Sequence, residues 1–486
     1  MQRHQRPTRD RISYNATVRF AGRSTGGLIS LVVLRLAAHY FEPAGWGPIV
    51  EALAFVALFS TVADLGVGSL VSRDLARPGA PSGPLLGGAL TGALASSVVL
   101  SALAAAIGAF AFRGRPNVFV LVAVMLPTIP LSALFSVASG VLVARGRNDV
   151  RAVFDVTSSL LPLSGVTALV AEHAGALAFG VVQSGADLLM AAAGLGVVVP
   201  ACRPGIGSGA RRGREVLRRS ASLGLYQAIG VAYDQLDTLL VAGFLSVTSV
   251  ARFGLASQVV AFFGAIPGMV TFAVIPTFMG KDEEGRRELV QRLAEVLTGG
   301  GILLLLLGVF FSREVLLVVV GHRYVGAAVA TSLLFAATAV SFLTAVFVST
   351  AYLLDLPGVF LRSSFLILGS NIALNLVAIP LWGINGAGGA ALSCQLLGVA
   401  YSARALHGAT GLTPRAGPLA RLASLGSAVA ALWLLVDRLF GFAATGPWTT
   451  LEGLAVASVY LAGAVLLGRA RPRGLGEGAA ARSRVA

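Results

Sequence analysis

Apolar residues run along this chain in long blocks, and the polar positions between them are few and short. A hydrocarbon layer of ~30 Å needs about 20 residues of helix. Fourteen segments fit that requirement: 15–40, 44–66, 86–111, 117–142, 153–171, 174–199, 220–244, 250–277, 295–318, 326–352, 359–381, 384–405, 419–437 and 450–468. Some neighbours are parted by only a few residues, at Glu42-Pro43, at Glu172-His173 and at 381–384, which predicts tight helical hairpins. No polar stretch of domain size interrupts the series. The pattern predicts an all-α polytopic membrane protein of about 14 transmembrane helices.

Composition removes the soluble alternatives. Of 486 residues 56% are hydrophobic and 12% charged, against about 25% charged in a soluble domain. Cys202 and Cys394 are too few and too scattered for a disulfide framework or a thiolate metal site. A net charge of +15 is compatible with nucleic acid until the basic residues are sorted by loop. With a cytoplasmic N terminus, 28 of the 37 fall on the cytoplasmic side, and Arg113, Arg115, Arg313, Arg323 and Arg438 alone fall opposite. That asymmetry obeys the positive-inside rule and places both termini in the cytoplasm. The charge is then chiefly a topology signal, and nucleic acid is not implied. The first apolar segment, which carries three arginines and no small-residue cleavage pattern, reads as a working helix and not as a removable signal. Residues 1–10 and 471–486 read as disordered tails whose arginines can touch anionic lipid heads.

Ionisable residues inside the spans are costly there and face a partner, the bundle interior or a water-filled cavity. Arg19 and Arg23, four apart on the first helix, share one face. They suit either a phosphate or pyrophosphate, which takes several guanidinium donors, or snorkelling to the nearby surface. Arg35 lies ~18 Å further across the bilayer and belongs to a different layer. Asp234 and Asp237 in the seventh helix point into roughly the same sector, near the level of Arg35. Three readings stand open for them: an Arg35–Asp237 pair that opens and closes, a carboxylate coupled to a proton or cation, and a fixed salt bridge. Glu51, Asp64, Asp187 and Arg252 are secondary candidates. Asp187, near mid-span, is the costlier placement beside Glu51, and Asp64, with Arg73, Asp74 and Arg77 following, reads as a local ion-pair partner. The glycine-rich runs at 26–27 and 383–389 allow close helix approach or a local break, and none has the spacing of a nucleotide loop. No catalytic triad, metal motif or paired enzyme carboxylates are visible, so neither an enzyme nor a cofactor is expected.

Several runs resemble bacterial polysaccharide flippases, which share a superfamily with multidrug and toxin extrusion transporters and the lipid II flippase. They are Arg35-Leu36, 41–47 (Phe-Glu-Pro-Ala-Gly-Trp-Gly), 64–68 (Asp-Leu-Gly-Val-Gly), 72–77 (Ser-Arg-Asp-Leu-Ala-Arg), 233–240 (Tyr-Asp-Gln-Leu-Asp-Thr-Leu-Leu), 250–256, and 371–380 leading to 383–387. Asp234 and Trp46 depart from the pattern. The resemblance covers nearly the whole chain. It implies two six-helix lobes, 15–200 and 220–405, joined by a basic linker at 201–219. Two further helices at 406–468 and short cytoplasmic tails at 1–14 and 469–486 complete it. It also implies alternating access, acting on a polyprenyl-pyrophosphate-linked oligosaccharide in the bacterial cytoplasmic membrane.

On that implication Arg19 and Arg23 form the entry clamp, and Arg35, Asp237 and Arg252 lie in the outer layer. A proton or sodium gradient is the candidate driver. Anionic lipids and a glycan polymerase or glycosyltransferase complex are the candidate partners. Two other classes stay open: a cation-coupled multidrug exporter of the same fold, kept alive by Asp187, Asp234 and Asp237, and a non-transporting scaffold for glycan assembly.

Overall fold

The computed structural model describes residues 9–77, 81–202, 209–279, 282–354, 356–411, 413–440 and 448–469, with residues 9–20 as backbone only. All regular structure among them is helical. The first half comprises α1 (Arg9–Asp64), α2 (Val67–Leu75), α3 (Ser82–Ala111), α4 (Pro116–Met125), α5 (Thr128–Ala144), α6 (Asn148–Ala171) and α7 (Ala176–Cys202). The second holds α8 (Gly209–Phe244), α9 (Val247–Gly264), α10 (Ile266–Met279), α11 (Glu283–Val319), a 3-10 turn (His322–Ala327), α12 (Ala328–Leu353) and α13 (Pro357–Thr410). Last come α14 (Ala416–Phe440) and α15 (Trp448–Arg469). The terminal tails expected at 1–10 and 471–486 lie almost entirely outside the described residues.

Helix length shows how elements become crossings. At 56 residues a straight α1 would reach ~84 Å, far beyond a bilayer. It folds back at Glu42, whose φ of 55° and ψ of 170° break the ladder just before Pro43. In α13 the break falls at Gly383, at φ 60° and ψ −140°. Both of these expected hairpins therefore turn about a single residue. Conversely, α4 with α5 and α9 with α10 are single crossings, each divided next to a proline, Pro127 or Pro267. Ten stretches qualify as crossings by length and apolarity. Two of these, Ala21–Leu75 and Leu361–Thr410, are double, and α8 with the Glu452–Leu467 part of α15 completes fourteen. This is a multi-pass membrane protein.

Large apolar side chains cover its sides, among them Val99, Phe110, Trp382 and Leu466, as a lipid-facing surface requires. Inside, one apolar core runs from α1 through α9 to α12 and joins the two halves. Trp46, which the sequence left without a reading, is buried there against Phe41 and Phe179, fixing the corner that begins at Glu42. α14 and α15 lie to one side and pack on α11 through Phe310, Phe311, Trp433 and Tyr460.

Candidate functional site

One end of the bundle is rich in arginine, with Arg73, Arg145, Arg147, Arg212 and Arg219 in its loops and helix ends. In the half nearer this basic end a cavity of about 590 Å³ opens between the two halves of the chain. Arg23, Ser30, Arg151, Asp155, Ser158 and Ser159 line it from α1 and α6, and Phe262, Ile266 and Met269 line it from α9 and α10. One wall is thus polar and basic, the other apolar.

Glycines on α1 set the polar wall. A Cβ on Gly22 would sit 2.8 Å from the Ala152 Cβ, and one on Gly26 would sit 2.7 Å from the Asp155 carbonyl oxygen. α1 and α6 therefore meet backbone to backbone, as small residues one turn apart allow. Arg23 and Arg151 are the sequence neighbours of the touching pair Gly22 and Ala152, so the close approach delivers both guanidinium groups to one cavity. Ser30 donates to the Ser159 hydroxyl at 3.2 Å and holds the two helices further up. Arg151 pairs with Asp155 at 3.0 Å and lies 5.3 Å from the centre of the Phe135 ring.

Toward the opposite end the halves are closed on each other. Arg35 donates to the Val318 carbonyl, Arg323 pairs with Glu42, and the Tyr324 hydroxyl donates to the Ala38 carbonyl at 2.9 Å. Arg115 pairs with the buried Glu51 at 2.7 Å and donates to the Ala242 carbonyl at 3.0 Å. Val318 and Ala242 lie in the last turns of α11 and α8, where carbonyls lack helical partners and the helix dipole is negative. Arginines of the first half thus cap two helices of the second. At the basic end, on another flank, α2 meets α8 through Asp74 with Arg219 and Ser69 with Gln227.

A third polar group lies within the second half. Asp237 accepts from the Asn375 amide at 2.7 Å, and Asn371 and Asn375 are fully buried, each with an amide oxygen that has no hydrogen-bond partner among the described residues. Tyr233, Cys394 and Gln395 surround them. Buried carboxylate and amide oxygens in this arrangement could hold a small cation or a proton.

The charged residues singled out from the sequence therefore separate. Arg23 lies in the cavity, and the side chain of Arg19 lies outside the described residues. Arg35 does not meet Asp237: it reaches Val318, while Asp237 turns to Asn375, because a shared depth leaves helix rotation unspecified. Asp234 and Asp237 lie close enough for their charges to interact, as their spacing predicts, but Asp234 is exposed and Asp237 is buried. Glu51 is the more deeply buried of the two but is paired with Arg115, whereas Asp187 is half-buried with Gln183 at 3.5 Å on its own helix and no ion pair among the described residues. Asp64 takes no ion pair among the described residues and accepts from the Gly68 N–H at 3.4 Å, while Asp74 binds Arg73 and Arg219. Arg252 sits beside Gly326 at the closed end, its Nε buried without a partner among the described residues. Arg151 and Asp155 are cavity residues that the sequence reading does not single out, although their i, i+4 spacing is visible in it.

Comparison with known proteins agrees with this architecture. Residues 12–280 match the family model described as polysaccharide biosynthesis protein. The chain belongs to that family. The chain is 25% identical over 244 residues to a protein named probable flippase AglR from Haloferax volcanii, a match that covers 49% of this chain and 50% of that one. The match thus spans about half the length of that curated relative. Among solved structures, the lipid II flippase MurJ in an inward closed conformation overlays with a TM-score of 0.75 at 14% identity, over 94% of this chain and 99% of that one. A variant of the MATE transporter VcmN from Vibrio cholerae gives 0.57 at 16% identity, over 85% and 100%. These likenesses show that this member of the polysaccharide biosynthesis family shares the fold of those two transporter structures.

Proposed function

We propose that the protein is a flippase that carries a polyprenyl-pyrophosphate-linked oligosaccharide from the cytoplasmic to the outer leaflet of the bacterial inner membrane. The observation that carries this reading is the cavity with Arg23 and Arg151 on one wall and Phe262, Ile266 and Met269 on the other. Two guanidinium groups match a pyrophosphate, replacing the water it loses, and the apolar wall suits the first isoprenes or a sugar face. The basic end is cytoplasmic by the positive-inside rule, and both termini lie there. Loading then takes place from the inside while the Arg35, Tyr324 and Arg323 contacts keep the outer end shut. Breaking those contacts and closing the α1, α6 and α9 surfaces would present the head outside. No covalent step is required.

Coupling is assigned to Asp237 with Asn371 and Asn375, as a site for a sodium ion or a proton whose occupancy biases the two states. The resemblance in fold to a MATE transporter keeps a multidrug exporter as the second reading. Two cationic side chains in the cavity favour an anionic cargo over an organic cation, and a formed cavity favours transport over a scaffold. A glycan polymerase or glycosyltransferase complex remains the proposed partner. The test is reconstitution in liposomes with a labelled undecaprenyl-pyrophosphate oligosaccharide, scoring its exposure on the far leaflet. Flipping of that lipid with no movement of a cationic dye supports the reading, and the reverse refutes it.

A further inference from the structure

Among the described residues, the ionisable ones that line the cavity are Arg23, Arg151 and Asp155. Asp155 sets a negative charge against these guanidinium groups, and the head group brings about two negative charges of its own. Asp155 is therefore a cost to binding, and its geometry shows where the cost acts. Its carboxylate sits 3.0 Å from the Arg151 guanidinium, one helical turn away. Its own carbonyl is pressed against Gly26 of α1 and accepts from Ser158 at 2.9 Å, so the α6 backbone beneath the carboxylate is fixed. Arg151 is also held at the Phe135 ring by a cation–π contact at 5.3 Å, which does not depend on Asp155. The guanidinium can leave the carboxylate for another oxyanion while that ring keeps it at the cavity.

We infer that Asp155 is an exchangeable counter-ion for Arg151, displaced when a phosphate-bearing head enters and recaptured when it leaves. This rests on the function proposed above and adds what the two arginines alone lack, a means of release. A carrier must bind its cargo well enough to load it and weakly enough to let it go. Asp155 is a positioning residue here: it sets how much of the Arg151 charge the ligand receives. The ligand class is a phosphate or pyrophosphate oxyanion, borne by a lipid.

The test is isothermal titration of the purified full chain with farnesyl pyrophosphate and with inorganic pyrophosphate. Asp155→Asn is expected to lower the Kd for farnesyl pyrophosphate about tenfold (~1.4 kcal/mol) and to slow transport in liposomes despite the tighter binding. Asp155→Ser, a smaller side chain, is expected to do the same, which separates charge from a folding defect. On an Arg151→Gln background the gain from Asp155→Asn is expected to shrink below about threefold, since only direct repulsion is then relieved. An equal gain on both backgrounds, or none in a protein that binds the probe, would overturn the inference and leave the proposed function standing. A gain with inorganic pyrophosphate alone would mark a free-anion site and overturn the lipid assignment. Wild-type protein that binds neither probe would overturn both.

Discussion

Replacing Arg115 by alanine removes the partner of a carboxylate that is almost wholly out of contact with solvent. The Glu51 side chain is 4% exposed and lies 2.7 Å from the guanidinium of Arg115, a side chain that is 36% exposed. At that separation two unit charges attract by roughly 6 kcal/mol at an effective dielectric constant of about 20. Hydration of the exposed guanidinium and desolvation of the carboxylate offset much of this. What survives is the asymmetry: stranding a buried charge costs about 3–5 kcal/mol, whereas neutralising the pair together costs far less. Arg115→Ala also strips the donor from the Ala242 carbonyl in the last turn of α8, and so loosens the outer closure. Glu51→Gln should cost only ~1 kcal/mol, since it leaves a neutral amide and a guanidinium that water can reach. The assay is thermal unfolding of purified protein in one detergent at one scan rate. The expected order is wild type, then Glu51→Gln, then Arg115→Ala well below both, with Glu51→Gln/Arg115→Ala rescued to near the first single variant. An Arg115→Ala protein no less stable than Glu51→Gln would refute the argument.

Other expectations follow from the same structure. Trp46→Ala empties a buried site between Phe41 and Phe179 and should cost ~3–5 kcal/mol in denaturant unfolding. Gly26→Leu drives a side chain into the Asp155 carbonyl of α6; a lower melting temperature with weakened pyrophosphate binding is expected, and Gly114→Ala, where a Cβ meets nothing within 4 Å, serves as the neutral control. Tyr324→Phe removes the donor to the Ala38 carbonyl and should raise the rate at which a cysteine at the buried position Ala38 is labelled from outside severalfold. Asp237→Asn should abolish dependence of transport on the driving ion gradient, read as initial rates with and without the gradient at matched protein level.

The crossings are legible in the sequence because each needs about 20 apolar residues and little else, and the corners at Glu42-Pro43 and at 383 are legible because a broken ladder needs a proline or a glycine. The charges are harder. Arg151 and Arg115 flank apolar runs, so a loop-by-loop tally files both as topology signals. Arg151 becomes a cavity residue only because Gly22 and Gly26 let α1 settle on α6, and Arg115 becomes the partner of Glu51 only because α4 packs beside α1. Position along a helix follows from residue number, which puts Arg35 and Asp237 at similar depth. Which neighbour each helix face meets is set by packing, and it sends one to Val318 and the other to Asn375. Arg23 stands out because it falls within the first predicted span, where charge itself is the signal.

The central claim is that the anionic head crosses through the cavity lined by Arg23 and Arg151. Its most direct measurement is the initial rate at which a labelled undecaprenyl-pyrophosphate oligosaccharide reaches the outer leaflet of proteoliposomes bearing Arg23→Gln/Arg151→Gln, at wild-type protein density. Loss of two charge-assisted contacts of ~1.5–3 kcal/mol each predicts a fall of at least about a hundredfold under subsaturating lipid, with the protein still folded. A rate within about twofold of wild type would contradict the claim.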